Sequence, residues 1–206
     1  MTGRKPAAAR RRQIADAALR VIAERGLARF TSVAIAREVG VSDAALFRHF
    51  ASKQAIVLAA IDRVEEVLFE GFPPRQSDPI DRLGAFFRRR IEVIRAHPGV
   101  ARLVGSEQLA QAAPPAGVAR VESFRGRSRA FVRRCLAEAH RRGLLAGGLG
   151  PDEAAVLVLG ALLALAHGNG RPPARLPERV WEALERLLRK QGRRAGSRPP
   201  LRAAEG

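Results

Sequence analysis

Apolar residues recur along this chain at helical rather than strand spacing. Ile14, Ala18, Val21 and Ile22 fall on one face and predict a first helix, which Gly26 ends. Thr31 or Ser32 offers an N-cap to a short second helix whose inner positions are Ile35, Ala36 and Val39, closed by Gly40. Ser42 caps a third helix. Asp43 suits the positive end of its dipole, and Val41 and Leu46 stand at the two positions of a hydrophobic staple. Ser52 caps a fourth helix with a stripe of Ile56, Ala60, Val64, Val67 and Leu68.

Pro73 and Pro74 interrupt this pattern, and the polar run to Pro79 reads as a connection, so a boundary between a first unit and a longer one falls near residues 55–75. Beyond it the periodicity predicts helices over 80–96, 100–112, 118–142, 152–167 and 178–190, separated by HPG, APPAG, GLLAGGLGPD and GNGRPPARLP. Alternating strand patterns do not persist beyond a few residues, and the fold class is all-α. After Lys190 the apolar period stops, and a disordered basic tail is expected.

Composition changes the picture mainly through charge. Hydrophobic residues at 47% and charged residues at 28% make an ordinary globular mixture, so the chain folds. The formal net charge is +17, which favours a polyanionic partner. Only Lys5, Lys53 and Lys190 are lysines, so part of the arginine surplus is explained equally well by a GC-rich genome. Eleven basic residues face four acidic ones in residues 1–55, twenty face fifteen in 56–188, and six face one in 189–206. The ends are therefore the basic parts.

Cys135 is alone, which leaves no intrachain disulfide. The basic N-terminus lacks the apolar segment of a secretory signal, and the apolar run over 154–167 is too short to cross a bilayer. A cytoplasmic protein without a membrane partner is expected.

A helix, a glycine turn and a second helix within about twenty residues, braced by a preceding helix, form a helix-turn-helix, which lays its second helix in the DNA major groove. Ala44 and Ala45 at the start of that helix allow close approach to the groove floor and methyl contact with thymine. Arg48 and His49 at its other end suit flanking phosphates, and Lys53 adds a cation beside the N-terminus of the fourth helix. The plain alternatives are solvated charges for Arg48 and Lys53 and half-buried packing for His49.

The run TSVAIAREVGVSDAALFRHFASKQAIVLAAI, residues 31–61, resembles the DNA-binding domain of the TetR family of bacterial transcription regulators. The features that match are Thr31, Ile35 with Ala36, Gly40 to Ser42, the step from Phe47 to Phe50, and Ser52 with Lys53. The resemblance implies DNA contacts from Thr31, Ser32, Ser42, Asp43, Ala44, Ala45, Phe47, Arg48, His49 and Lys53. Two departures stand out. Phe47 replaces the usual tyrosine and lacks its phosphate-binding hydroxyl, and the Thr31–Ile35 spacing is one residue short, a variant shared with the nucleoid-occlusion branch.

The expected organisation is a flexible basic arm over 1–9, a helix-turn-helix unit over 10–55 with a connector helix over about 52–70, a regulatory and dimerisation domain over 76–190, and the tail over 191–206. The family implies a homodimer released from palindromic double-stranded DNA by a small molecule. The apolar helix over 152–167 must be covered on several sides. Together with its successor it supplies Leu159, Leu163, Val180, Trp181, Leu184 and Leu188 to half of a four-helix interface, or else closes the chain's own core. Polar candidates for the effector are Glu107, Gln108, His140, His167 and Asn169, and the effector favoured is apolar or mildly cationic.

The four histidines show no metal spacing, Cys135 has no neighbouring histidine, and a glycine-rich phosphate loop is missing, so neither an enzyme, a metal nor a cofactor is expected. The competing role is a nucleoid-associated DNA-binding protein without a metabolite switch. Arg4, Lys5, Arg10, Arg11 and Arg12 suit a neighbouring minor groove or flanking phosphates, the plain alternative being a solvated disordered leader.

Overall fold

The computed structural model describes residues 6–167 and 173–190. Ten helices follow one another among them, and the sole extended pairing there is an antiparallel bridge between Leu145 and Arg189. The first four are α1 (Ala7–Arg25), α2 (Ser32–Val39), α3 (Asp43–Phe47) and α4 (Lys53–Phe69). The others are α5 (Pro79–Ala96), α6 (Pro98–Val104), α7 (Leu109–Ala112), α8 (Pro115–Arg141), α9 (Pro151–His167) and α10 (Leu176–Leu188).

Side-chain caps set the early boundaries. The hydroxyls of Thr31, Ser42 and Ser52 accept from the N–H groups of Ala34, Ala45 and Ala55 at 3.2, 3.1 and 3.1 Å. Gly40 ends α2 in the left-handed region, at φ 76°, and Val41 N–H reaches back to the Ala36 carbonyl at 3.0 Å. This closes the turn that launches α3.

Two apolar clusters hold the helices together. The first gathers Ile14, Ile22, Phe30, Ile35, Leu46, Ile56 and Ile61, joined by Val100 and Leu103 of α6 and Val121 and Phe124 of α8. Each such buried side chain contributes roughly 1.5–3 kcal/mol. The helix-turn-helix half thus borrows its core from the later helices, although the Pro73–Pro74 break divides the sequence. Gly99 makes the closest approach, because a side chain there would overlap the Leu19 carbonyl of α1. The second cluster centres on Leu83, Phe87, Val132, Leu136, Trp181 and Leu188. Arg189 then reaches back from the end of α10 to Asp78 and Asp81 at the start of α5, at 3.2 and 2.5 Å.

Several expectations are corrected. The helix expected over 100–112 is broken at Gly105 and Ser106, where the Ser106 hydroxyl accepts from Gln108 N–H and competes with helical bonding. The arm expected over 1–9 is helical from Ala7, and Arg10 to Arg12 lie within α1. Residues 1–5, with Arg4 and Lys5, Asn169, and the tail over 191–206 lie outside the described residues. Helix α9 is not covered on several sides. It buries only Ala154, Ala155 and Val158, leaving Val156, Leu157 and Leu163 at 71, 42 and 62% exposure. Trp181, Leu184 and Leu188, expected at an interface with a second copy, are instead buried in the chain's own second cluster. Leu159 and Val180 pack partly against that cluster.

Candidate nucleic-acid interface

Helix α3 buries one residue, Leu46, which anchors it to the first cluster. Asp43 and Ala44 are therefore exposed, Ala45 is half-buried, and Phe47 is 40% exposed. Arg48 is exposed in the turn that follows. Among the described residues Arg48 and Lys53 take part in no ion pair, so both guanidinium and ammonium are free for an outside anion.

His49 differs from its neighbours. It is half-buried, its N–H bonds the Leu46 carbonyl at 3.0 Å, and its own carbonyl accepts from Arg11 Nη1 at 3.1 Å. The Arg11 guanidinium lies 4.6 Å from the centre of the Phe50 ring. Arg11 thus fastens the end of α3 to α1 instead of extending into solvent, and Arg12 pairs with Glu66 of α4 at 2.8 Å. The sequence held no local signal for the role of Arg11, because its partner is 38 residues away.

Thr31 and Lys53 are exposed at the starts of α2 and α4, Ser32 is half-buried, and Ser42 is exposed at the start of α3. Val33 joins them at 65% exposure, an apolar residue outside any expected core stripe and missed in the sequence pattern. Lys53 Nζ sits 5.9 Å from the centre of the Phe30 ring, which supports the alkyl stem against the core. Three helix starts, with N–H groups already partly capped, thus carry exposed polar residues, and the short α3 adds small residues at its own start.

The polar candidates for an effector are not gathered. Glu107, Gln108, His140 and His167 are all exposed. His167 lies against Gly105, at the end of the molecule that holds Glu107 and Gln108, whereas His140 is at the far end of α8. A groove of about 800 Å3 opens elsewhere, between α4 and α5, with Glu66, Phe69, Glu70, Arg89, Glu92 and Val93 along it. No group of three or more metal-ligating side chains occurs among the described residues. Burial, with Glu138 adding to it against the opposing charges of Arg82 and Arg134, pushes the Cys135 thiol up to about 11, so it is a packing residue. No described helix is long and apolar enough to cross a membrane.

The sequence profile of bacterial regulatory proteins of the tetR family matches residues 14–60, which run from the core face of α1 through α3 into α4. The nucleoid occlusion factor SlmA of Marinomonas sp. (strain MWYL1) is 35% identical over 104 residues, covering 49% of this chain and 53% of that protein. SlmA of Haemophilus influenzae (strain PittGG) is 30% identical over 104 residues, with 48% of each chain covered. The chain spans about half the length of the curated relatives it matches.

Solved structures share the fold over most of its length. AibR, crystallised with isovaleryl coenzyme A and operator DNA, superposes with a TM-score of 0.73 at 20% identity, over 87% of this chain and 97% of its own. The ketosteroid transcriptional regulator KstR2 of Mycobacterium tuberculosis gives 0.74 at 19% identity, over 88% and 96%. The capped helix-turn-helix lies within the matched stretch, so residues 14–60 are similar to the DNA-binding region of bacterial regulatory proteins of the tetR family, and the all-helical architecture is shared with the solved structures.

Proposed function

We propose that this chain is a sequence-specific DNA-binding transcriptional regulator that acts as a homodimer, represses from a palindromic operator and is released by a small molecule. The observation that carries the reading is α3, held by Leu46 alone and otherwise presenting Asp43, Ala44 and Phe47 outward between unpaired Arg48 and Lys53. Ala44 and Ala45 let the helix approach base edges, while Thr31, Ser32, Ser42, Arg48, His49 and Lys53 serve the phosphates. Phe47 supplies apolar contact without a hydroxyl.

The uncovered apolar face of α9 supports the homodimer. Val156, Leu157 and Leu163 form a patch that a second copy would bury, and Leu159 borders it. A two-fold dimer spaces two α3 helices for half-sites one helical turn apart, about 34–36 Å, or a multiple of that. AibR, which shares the fold, was crystallised with both a coenzyme A thioester and operator DNA, which supports an effector-controlled switch.

A second reading is favoured by the relatives themselves. The named matches at 35 and 30% identity are nucleoid occlusion factors, and they support a protein that occupies many dispersed chromosomal sites without a metabolite. Selection of bound fragments from a random double-stranded DNA pool at near-physiological salt tests both readings. A palindromic consensus is the expected result, and mapping its occurrences in the source genome separates few operators from many scattered sites. Retention without any consensus that vanishes as salt rises would overturn sequence-specific regulation.

A further inference from the structure

Arg90 of α5 is the one buried charged side chain among the described residues, at 6% exposure. None of the ion pairs among those residues includes it. Its Nη1 donates to the Leu68 carbonyl of α4 at 2.5 Å and its Nη2 to Ser128 Oγ of α8 at 3.2 Å. The rings of Phe69, Phe86 and Phe72 surround the guanidinium at 4.7, 4.9 and 6.0 Å. The charges that act on it, those of Arg127 and Arg89, are of its own sign. Burial foremost, then Arg127 and Arg89, push its pKa down to about 10.

The plain explanation is a helix cap, since Leu68 lies in the last turn of α4, where cations are favoured. A cap does not require burial. Arg125 performs the same task on the Val104 carbonyl of α6 from a half-buried position and beside a carboxylate, Glu122. Arg90 has five N–H groups in a rigid fork suited to a carboxylate, and two protein acceptors among the described residues. An aromatic cage offsets part of the desolvation of a cation, but an anion offsets far more.

The α4–α5 groove leads to the same place. Glu66, Glu70 and Glu92 along it are ion-paired to Arg12, Arg63 and Arg89, and Asp62 and Glu65 to Arg120 and Arg127. The groove's carboxylates are thus paired, whereas Arg90, which reaches the groove only through Phe69, is in no ion pair among the described residues. Half-buried Phe69 is common to both, lining the groove and lying with its ring centre 4.7 Å from the Arg90 guanidinium and 3.8 Å from that of Arg127. The groove's volume of about 800 Å3 is within the range of small-molecule sites.

We propose that Arg90 with Phe69, Phe72 and Phe86 forms the head-group end of a site for an apolar carboxylate, which enters from the groove as the Phe69 ring turns aside. It rests on the reading of the later helices as an effector domain, and it names the effector's chemistry. The bound carboxylate competes with the Leu68 carbonyl for Arg90 and so acts on the end of α4, the helix that carries Lys53 at its other end.

The test compares octanoate, octanol and octylamine by calorimetric titration of the full chain without DNA. Octanoate is expected to bind about tenfold or more tightly than octanol, with octylamine weakest. Arg90→Met should erase that preference and Arg90→Lys should keep part of it. Equal binding of octanoate and octanol, no binding of any of the three, or a preference that survives Arg90→Met would overturn the site. The wild-type comparison decides even where Arg90→Met fails to fold. DNA selection is run without octanoate, so loss of DNA specificity and loss of carboxylate binding are separate outcomes.

Discussion

Gly99 and Leu19 touch backbone to backbone, with the N-terminal turn of α6 resting on the middle of α1 so closely that a side chain at Gly99 has no room. Because the obstructing atoms are main chain, they cannot rotate aside. Gly99→Ala is therefore expected to destabilise the protein by about 1–3 kcal/mol. Gly126→Ala, inside α8 where an added methyl meets nothing within 4 Å, should stabilise by about 0.5–1 kcal/mol. Chemical denaturation of the two variants gives opposite signs if the contact is as described.

The face of α9 separates assembly from folding. Leu163→Glu changes a side chain 62% exposed in the single chain, so helix content should survive while a dimer dissociates, as sedimentation would show. Trp181→Ala should instead cost about 3–5 kcal/mol of stability, since Trp181 packs on Phe87 at 5.4 Å in the chain's own core. A dimer that persists in Leu163→Glu would remove α9 from the interface.

The two groups of residues around α3 should fail in different ways. Arg48→Ala and Lys53→Ala are expected to weaken binding to all DNA sequences and to lower the salt slope by about one each. Ala44→Leu, which adds bulk on the leading side of α3, should lose about tenfold or more of specific affinity while leaving non-specific binding intact. Binding titrations on operator and random DNA at several salt concentrations distinguish them.

Acid acts on the clasp between α10 and α5. Burial raises the Asp78 carboxyl, but hydrogen bonds from Asp81 N–H, Arg189 and Ile80 N–H, with the Arg189 charge, hold it below its usual 3.8. Its folded pKa is depressed, so its contribution is full above 3.8 and is lost as pH falls through the lower folded value. Asp78→Asn keeps an N-cap but removes the charge. It should lower stability at neutral pH by less than about 1 kcal/mol and shrink the loss on acidification below pH 4, measured by thermal unfolding.

The parts of this fold that were legible in the sequence are those decided within a few residues. Thr31, Ser42 and Ser52 each bond an N–H three positions on, and Gly40 needs only its own backbone freedom, so the helix starts and the turn could be read directly. The surroundings of α3 could be read for the same reason. What the pattern missed depends on distant partners. Arg11 reaches His49, Arg90 reaches Leu68 and Ser128, and Arg189 reaches Asp78, across 38, 22, 38 and 111 residues. The apolar run of α9 promised cover, but periodicity does not tell whether an apolar face meets its own chain or another. In α10 likewise, Leu184 and Leu188 turn inward and Leu187 outward at 60% exposure.

The ion pairs between α1 and α4 alter what a salt titration of this protein measures. Arg12 with Glu66 and Arg63 with Asp16 hold α1 on α4, Arg63 also pairs with Glu66 within α4, and at least one partner in each pair is about a third or more exposed. Added electrolyte screens these latches at the same concentrations at which it competes for phosphates. The slope of affinity against salt then contains a share from loosening of the protein itself, and a phosphate count taken from that slope is an upper bound. Arg63→Gln removes the Asp16 latch while leaving that of Arg12, and the change it makes in the slope measures that latch's part of the share.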